Sequence, residues 1–418
     1  MKHKFYTALT LLFFTCMQLS ISAQTVAPNW TYVSNVNANG VCFLTPLKGI
    51  AASIGGSQIT TDGGQNWSPM IGLSGILYGV VAPSAQHVIG FSNTNIWTSF
   101  DGSSSFVSSA SVEASSIFFL DDNHGWAGIN NGNLLATIDG GSSWHMSNTS
   151  APSNNITAVA FASTTNGVVG TNTGTLHYTT TGAGNYNFTA STIPAQLTSD
   201  YTISAIKWVN STTVIATATS PNSQDAEILR STDGGVTFTM VHSNSAEEIT
   251  DVAFRTPNIG YAVGILMAPR NANGSALIYE TTDAGQTWNQ LTFNQNVNAC
   301  DLYGITFLDS IHGWIAGFGC FYKYAPAVDT VSGISATSVP LATSLYPNPA
   351  QGTLHVVSGF ADGQPCNYQI TDIAGKTVLT GLMAKADFDI TVNTLISGMY
   401  IVKLKSGDDA VVKKFMKE

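Results

Sequence analysis

The chain has 418 residues, 44% hydrophobic and only 10% charged, with a net charge of −10; that length accommodates one large domain and one small one. Between residues 24 and 341 six basic residues (Lys48, Lys207, Arg230, Arg255, Arg270, Lys323) stand against 18 acidic ones, a net of −12. So few cations cannot neutralise a phosphate backbone, which excludes nucleic acid as a partner.

In chain order, Lys2 and Lys4 precede an apolar run from Ala8 to Leu19 and the small residues Ser22-Ala23. This is the pattern of a secretory signal over residues 1–23, cleaved after Ala23 and too short for a membrane span. Cys16 follows Thr15, where a lipoprotein site requires Gly, Ala or Ser. No later stretch reaches the roughly 18 uninterrupted apolar residues of a spanning helix, so the mature chain is expected to have no integral membrane segment. Low charge with abundant Gly, Ser, Thr and Asn predicts an all-β fold.

A repeat then runs through the body of the chain. Thr60-Thr61-Asp62-Gly63-Gly64-Gln65-Asn66-Trp67 returns at Thr137 to Trp144, at Ser231 to Phe238 and at Thr281 to Trp288. A weaker copy spans Ser99 to Phe106, and an eroded one begins at Thr180-Thr181-Gly182. The steps from Asp62 to Asp101, Asp139, Asp233 and Asp283 are 39, 38, 94 and 50 residues, the third holding the eroded copy. Before each copy comes an apolar strand, a turn and a Gly-rich strand, clearest in Ile117 to Gly128 and Ile305 to Gly317, with other copies starting near Val41, Gly79, Thr157, Ala205 and Asp251. That makes seven leading strands, and the seventh copy stops at Tyr324 before its last strand. Asn29 to Val33, a Trp followed by alternation, is expected to supply it. Such closure removes the long free edges of an open ring.

These residues match the Asp-box, or BNR, repeat of sialidases, sortilin-type receptors and photosystem II assembly propellers, and with the Gly-Trp strand resemble the photosystem II assembly type most. The resemblance covers residues 29 to 324 and, with the seven leading strands, implies a seven-bladed β-propeller over 24–324; the small C-terminal β-sandwich expected after it is implied by the separate resemblance of residues 344–418 given below. The Asp-box resemblance also implies that Asp62, Asp101, Asp139, Asp233 and Asp283 are structural, each carboxylate accepting turn hydrogen bonds while Gly supplies positive φ.

Residues 325–343 read as a linker. Beyond it, Ser344-Leu345-Tyr346-Pro347-Asn348-Pro349, Tyr368 to Lys376, Leu395 to Lys403 and Val411 to Glu418 resemble, in order, the type A C-terminal sorting domain of type IX secretion cargo in Bacteroidota, over 344–418. That resemblance implies the type IX machinery as a partner and a place at the outer cell surface or in the medium. Asp309-Ser310-Ile311 and Asp329-Thr330-Val331 resemble the Asp-Ser/Thr-apolar sequon for O-glycosylation, marking Ser310 and Thr330.

No pattern here announces an active site. The three arginines fall in adjacent repeats, so they cannot surround a substrate carboxylate as a sialidase requires. No metal-ligand spacing and no phosphate-binding or nucleophile motif occurs, so neither a metal nor a cofactor is expected. All eight Trp have structural assignments, and His124 and His312 share one turn position. Cys300 and Cys320 flank a single repeat, where export permits a disulfide; buried thiols are the alternative. Three long segments, Thr189 to Ile203, Ala216 to Ala226 and Gly264 to Ser275, are expected to crowd one side of the face opposite the Asp-boxes. On them Asp200, Tyr201, Asp225, Arg270 and Asn273 are the candidate contacts for a protein or glycan partner. A glycan-active hydrolase using carboxylates of that face, with Glu247-Glu248 in a connection, is the alternative to a binding or scaffolding module.

Overall fold

The computed structural model describes residues 25–26, 29–70, 73, 76–150, 152, 154–182, 186–267, 276–292, 300–326, 343–358, 366–372, 376–383, 385, 387–406 and 409–418. The signal segment, Arg270, Asn273, Thr330 and nearly all of the linker lie outside them. The described residues fall into two compact units divided between Ala327 and Val328. Both are built of strands, with one 3-10 turn at Asn130–Gly132 among the described residues.

In the first unit seven four-stranded antiparallel sheets follow one another along the described chain, one of them extended by a parallel fifth strand, with a two-stranded parallel pair, Asn148–Ser150 and Tyr186–Asn187, besides. The leading strands of the seven sheets are Gly40–Phe43, Gly79–Val81, Ala114–Phe119, Ile156–Phe161, Thr202–Trp208, Glu247–Phe254 and Asp301–Phe307. Each packs against the next, and the last packs against the first. The second strands are sandwiched between sheets and buried on both sides, which is why they read as Gly49-Ile50-Ala51-Ala52 or Gly167-Val168-Val169-Gly170-Thr171 without alternation.

The strand-turn-glycine pattern has a packing cause. At Gly49, Gly125, Gly167, Gly260 and Gly313 an added Cβ would lie 2.3–2.7 Å from the ring of the Phe six residues earlier. The Trp that follows two of these glycines stacks on the next sheet: Trp126 on Phe161 at 3.9 Å and Trp314 on Phe43 at 3.6 Å. Both indoles are almost wholly buried, and such pairs contribute beyond their buried area.

Bulges in the leading strands tie sheet to sheet. The bulged residues Thr157, Ser204 and Thr250 donate hydroxyl bonds to the carbonyls of Ile203, Ile249 and Leu302 in the neighbouring leading strand, at 2.7, 2.6 and 2.9 Å. Between the last and first leading strands the approach is closer: a Cβ on Gly304 would stand 3.2 Å from the Gly40 Cα. Thr250→Val keeps the shape and deletes the hydroxyl's contacts with the Leu302 and Val263 carbonyls; it is expected to cost about 1 kcal/mol in denaturant unfolding.

The seventh sheet takes its outer strand from the other end of the chain. Trp30–Ser34 pairs antiparallel with Phe321–Tyr324, Trp30 opposite Tyr324. Thr25–Val26 also runs parallel to Leu291 and Thr292, adding a fifth strand to the sixth sheet, a pairing that two residues of sequence cannot announce.

Two sequence expectations are corrected. Ala216 to Ala226 is a hairpin, Val214–Ser220 and Asp225–Ser231, with only residues 221–224 in its turn; alternating Ala and Thr between buried sheets form strand as readily as Val and Ile. Glu247 and Glu248 belong to the leading strand Glu247–Phe254 and not to a connection, because Gln224 and Ala246 take positive φ and turn the chain at once.

The second unit has a three-stranded sheet (Ser344–Tyr346, Thr353–Val357, Asp387–Thr391) and a four-stranded one (Cys366–Asp372, Thr377–Met383, Gly398–Ser406, Asp409–Lys417). Leu354, Val356, Phe388 and Ile390 from the first meet Ile370, Tyr400, Val402, Leu404 and Phe415 from the second in one core. Alternating burial along Gly398–Ser406 is the period-two pattern of a one-sided strand.

Candidate functional site

Alternation of strand direction puts the Asp-boxes, between third and fourth strands, on the same face as the turns between first and second strands. The second-to-third turns and the sheet-to-sheet connections form the opposite, loop face.

On the Asp-box face the box carboxylates are consumed by their own turns. Asp139 Oδ1 accepts from the Thr137 hydroxyl at 2.8 Å and the Ser143 amide at 2.9 Å, and Oδ2 from the Ser143 hydroxyl at 2.6 Å. Asp62, Asp101, Asp233 and Asp283 repeat the scheme. The first glycine of the box, or Ala284 in its place, donates its amide to the turn beside it, as Gly63 does to Leu47 and Gly140 to Asn123. The preceding sheet then holds the box: Lys48 donates to the Gly102 carbonyl, His87 Nε2 meets that of Gly140, and Arg230 donates to that of Ala284 at 3.0 Å. Arg255 is spent on the Ser310 carbonyl at 3.1 Å, leaving the Ser310 side chain on an exposed turn. His124 and His312 each contact the Asp three residues earlier, at 2.9 and 2.7 Å.

These contacts fix the sign of an acid response. The Asn66 amide and side chain hold Asp62 down to about 2; at Asp139 burial raises the value, but the Ser143 and Thr137 bonds outweigh it and bring it to about 2. A depressed folded value stabilises above the ordinary aspartate value of 3.8 and is lost as pH falls through the folded one. Burial lifts Glu227 and Asp251, so protonation of these two relieves a cost first. Thermal stability is therefore expected to hold or rise slightly as pH falls toward 4.5 and to drop steeply below about 3.5. A melting temperature that falls steadily from pH 7 contradicts this assignment.

The loop face carries the remaining chemistry. Tyr201 is 6% exposed and donates its hydroxyl to Glu227 at 3.2 Å; burial, then Glu227 and Asp225, push it up to about 12. Ser243 donates to the same Glu227 oxygen at 3.1 Å, while Oε2 has no partner among the described residues and Glu227 is 3% exposed. Glu247 accepts from Tyr279 at 2.9 Å and from Asn244 at 2.7 Å, with His242 Nε2 at 3.6 Å. Asp200 accepts from the Thr198 hydroxyl and from Ser220 at 2.9 Å, and these bonds lower it.

Of the candidate residues, Asp200 and Asp225 thus come together around Tyr201, which is buried against Glu227 where an exposed contact is expected. Glu227, two residues beyond Asp225 on the strand Asp225–Ser231, and His242 on the neighbouring strand Thr239–Ser245 join this cluster. Beyond them Glu248 is raised by burial and by Asp301, and Asp301 pairs with Phe318. Phe318 meets the Tyr303 ring at 5.2 Å, and the exposed Ile54, Ile76 and Tyr78 continue this apolar side. A disulfide joins Cys300 to Cys320 at its root. Between the leading strands runs a channel of about 630 Å³ lined by Tyr78, Tyr303, Thr250, Asp251 and Lys207 among others. Among the described residues no group of three His, Cys, Asp or Glu is placed to hold a metal, and no helix is long and apolar enough to cross a membrane.

Residues 344–418 match the secretion system C-terminal sorting domain, and residues 58–69 match the BNR/Asp-box repeat. A search of curated protein sequences finds no match. Among solved structures the chain is similar to YCF48 bound to D1 peptide, at 16% identity and a TM-score of 0.54, over 72% of this chain and 99% of that one. It is similar to the GH74 xyloglucanase of Xanthomonas campestris, at 14% identity and 0.55, over 80% of this chain and 59% of that one. It is also similar to the WD40 beta propeller domain of Doa1, at 10% identity and 0.50, over 72% of this chain and 96% of that one. Identities this low speak for the fold alone. The chain joins an Asp-box β-propeller to a type IX secretion C-terminal sorting domain, and is therefore a protein exported to the cell surface or released from it.

Proposed function

We propose that the first unit is a seven-bladed propeller closed by its N-terminal strand, and that outside the cell it is a binding or scaffolding module for a protein or glycan, engaging its partner through the loop face. Residues 1–23 act as the export signal, 325–343 as the linker and 344–418 as the sorting domain. The seven sheets, the chain of packed leading strands and the pairing of Trp30–Ser34 with Phe321–Tyr324 support the ring.

The binding reading rests on one contrast. Apolar side chains are exposed on both faces, but the Asp-box carboxylates are tied into their own turns, whereas on the loop face Ile54, Ile76, Tyr78 and Phe318 accompany the half-buried Asp225, Glu248 and Asp301. The test is a screen of the exported chain against arrayed glycans and envelope and host proteins. A ligand whose binding is lost on Ile54→Ser with Tyr78→Ser, and kept on Asp122→Asn of the other face, supports the reading. A ligand indifferent to the loop face sinks it.

A hydrolase is the second reading, favoured by one observation: Tyr201 stands between a raised Glu227 and a lowered Asp200, the split that acid and base roles require. Sugar release from polysaccharide that Glu227→Gln abolishes, at unchanged melting temperature, is its signature. Intact-mass measurement of the exported protein tests the sequons: added mass on the linker peptide carries Thr330, and added mass on the peptide holding Ser310 carries that exposed turn.

A further inference from the structure

The loop face has a chemical polarity that narrows its partner. Apart from Glu113, which accepts from Asn130 before the third sheet, its described carboxylates form a series across the fifth to seventh sheets: Asp200 and Asp225 around Tyr201, then Glu247 and Glu248, then Asp301. The described cations of the same unit are elsewhere. Lys48, Arg230 and Arg255 bond carbonyls of Asp-box-face turns, the Lys323 ammonium lies 3.6 Å from where a Cβ on Gly63 would be, and Lys207 lines the channel. Where the acidic series ends, Asp301 is paired with Phe318, and the apolar side of Phe318, Tyr303, Ile54 and Tyr78 begins on the seventh and first sheets.

A buried atom inside the acidic part points to a missing partner independently of the charge count. Glu227 is 3% exposed, its Oε1 is taken by Tyr201 and Ser243, and its Oε2 is unpartnered among the described residues. A buried carboxylate oxygen without a donor is costly, and a cation brought to this cluster relieves that cost.

We propose that the loop face binds a polypeptide segment carrying Lys or Arg beside apolar side chains, its cations over Asp225, Glu248 and Asp301 and its apolar groups on Tyr78, Ile54 and Phe318. This rests on the binding-module reading and assigns its partner. Charge complementarity sets orientation and on-rate, and the apolar contacts supply the desolvated area. The acidic side selects against the anionic peptides that an apolar patch alone would accept.

Fluorescence anisotropy of the full exported chain tests this with three labelled decapeptides: alternating Arg and Leu, alternating Glu and Leu, and alternating Arg and Ser. The Arg-Leu peptide is expected to bind at least tenfold more tightly than either other. Glu248→Gln with Asp301→Asn weakens it about tenfold, with a reduced salt dependence. Tyr78→Ser weakens it severalfold, and Asp122→Asn on the Asp-box face leaves it unchanged, all at unchanged melting temperature. Equal binding of Arg-Leu and Arg-Ser peptides, or equal losses from Asp122→Asn and the loop-face pair, reduces the effect to net charge and overturns the proposal. If no peptide binds while an arrayed glycan binds through the loop face, this inference falls and the binding-module reading stands; if nothing of either class binds, both fall.

Discussion

A chain lacking residues 24–34 melts on the order of 10 °C or more below the intact mature protein, and Trp30→Ala alone accounts for much of that loss. Trp30 is 5% exposed. Its indole meets Tyr261 at 5.4 Å, Phe307 at 5.8 Å and Tyr324 at 5.2 Å, so it packs into both the sixth and seventh sheets. Truncating a Trp so enclosed costs about 3–5 kcal/mol, and at this chain length each kcal/mol moves the midpoint by roughly 2 °C. Deletion adds the unpaired edge of Phe321–Tyr324 to that cost. Val107→Ala is the control: Val107 is 69% exposed on an outer strand, and its loss stays within about 0.5 kcal/mol. A deletion variant with the parental melting curve refutes the closure by the N-terminal strand.

The second large effect belongs to the disulfide. Cys300 and Cys320 are 20 residues apart in sequence, and a loop of that size restricts the unfolded chain by about 3 kcal/mol. Cys300→Ser with Cys320→Ser is therefore expected to lower the stability of the propeller by about 3 kcal/mol in denaturant titrations. A reducing agent reproduces the loss in the parent and has no effect on the double variant. Because the bond ties the start of Asp301–Phe307 to the turn between Phe318 and Phe321, the same variant also loosens the apolar end of the loop face. Cys42 and Cys366 are buried free thiols, with Cys42 pushed up to about 12 by burial, and they do not substitute for the missing bridge. Equal stability of parent and double variant removes the disulfide from the account of this fold.

The repeat was legible because each copy solves the same local problem. The hydroxyl at the first position, the carboxylate two residues on and two residues of positive φ satisfy one tight turn with groups no more than six residues apart, so the solution is written in consecutive letters. The Phe and the Gly six residues later are equally local, because an aromatic ring at the end of a strand leaves no room for a Cβ opposite it. The sorting domain was readable for a related reason: its turns and one-sided strands recur in order.

What the sequence by itself determined, then, is the periodicity, the strand content and the address at the end of the chain. Only the tertiary structure decided which groups of neighbouring repeats share a bond. Lys48, His87 and Arg230 stand isolated in the sequence until the next sheet brings the carbonyls of Gly102, Gly140 and Ala284 to them. Glu247 read as a connection carboxylate until strand pairing buried it against Tyr279, as Glu227 is buried against Tyr201. A turn closes over four residues and is fixed by local sterics. A face assembled from seven sheets depends on contacts tens to hundreds of residues apart, whose partners are chosen by packing and leave no short-range pattern in the chain.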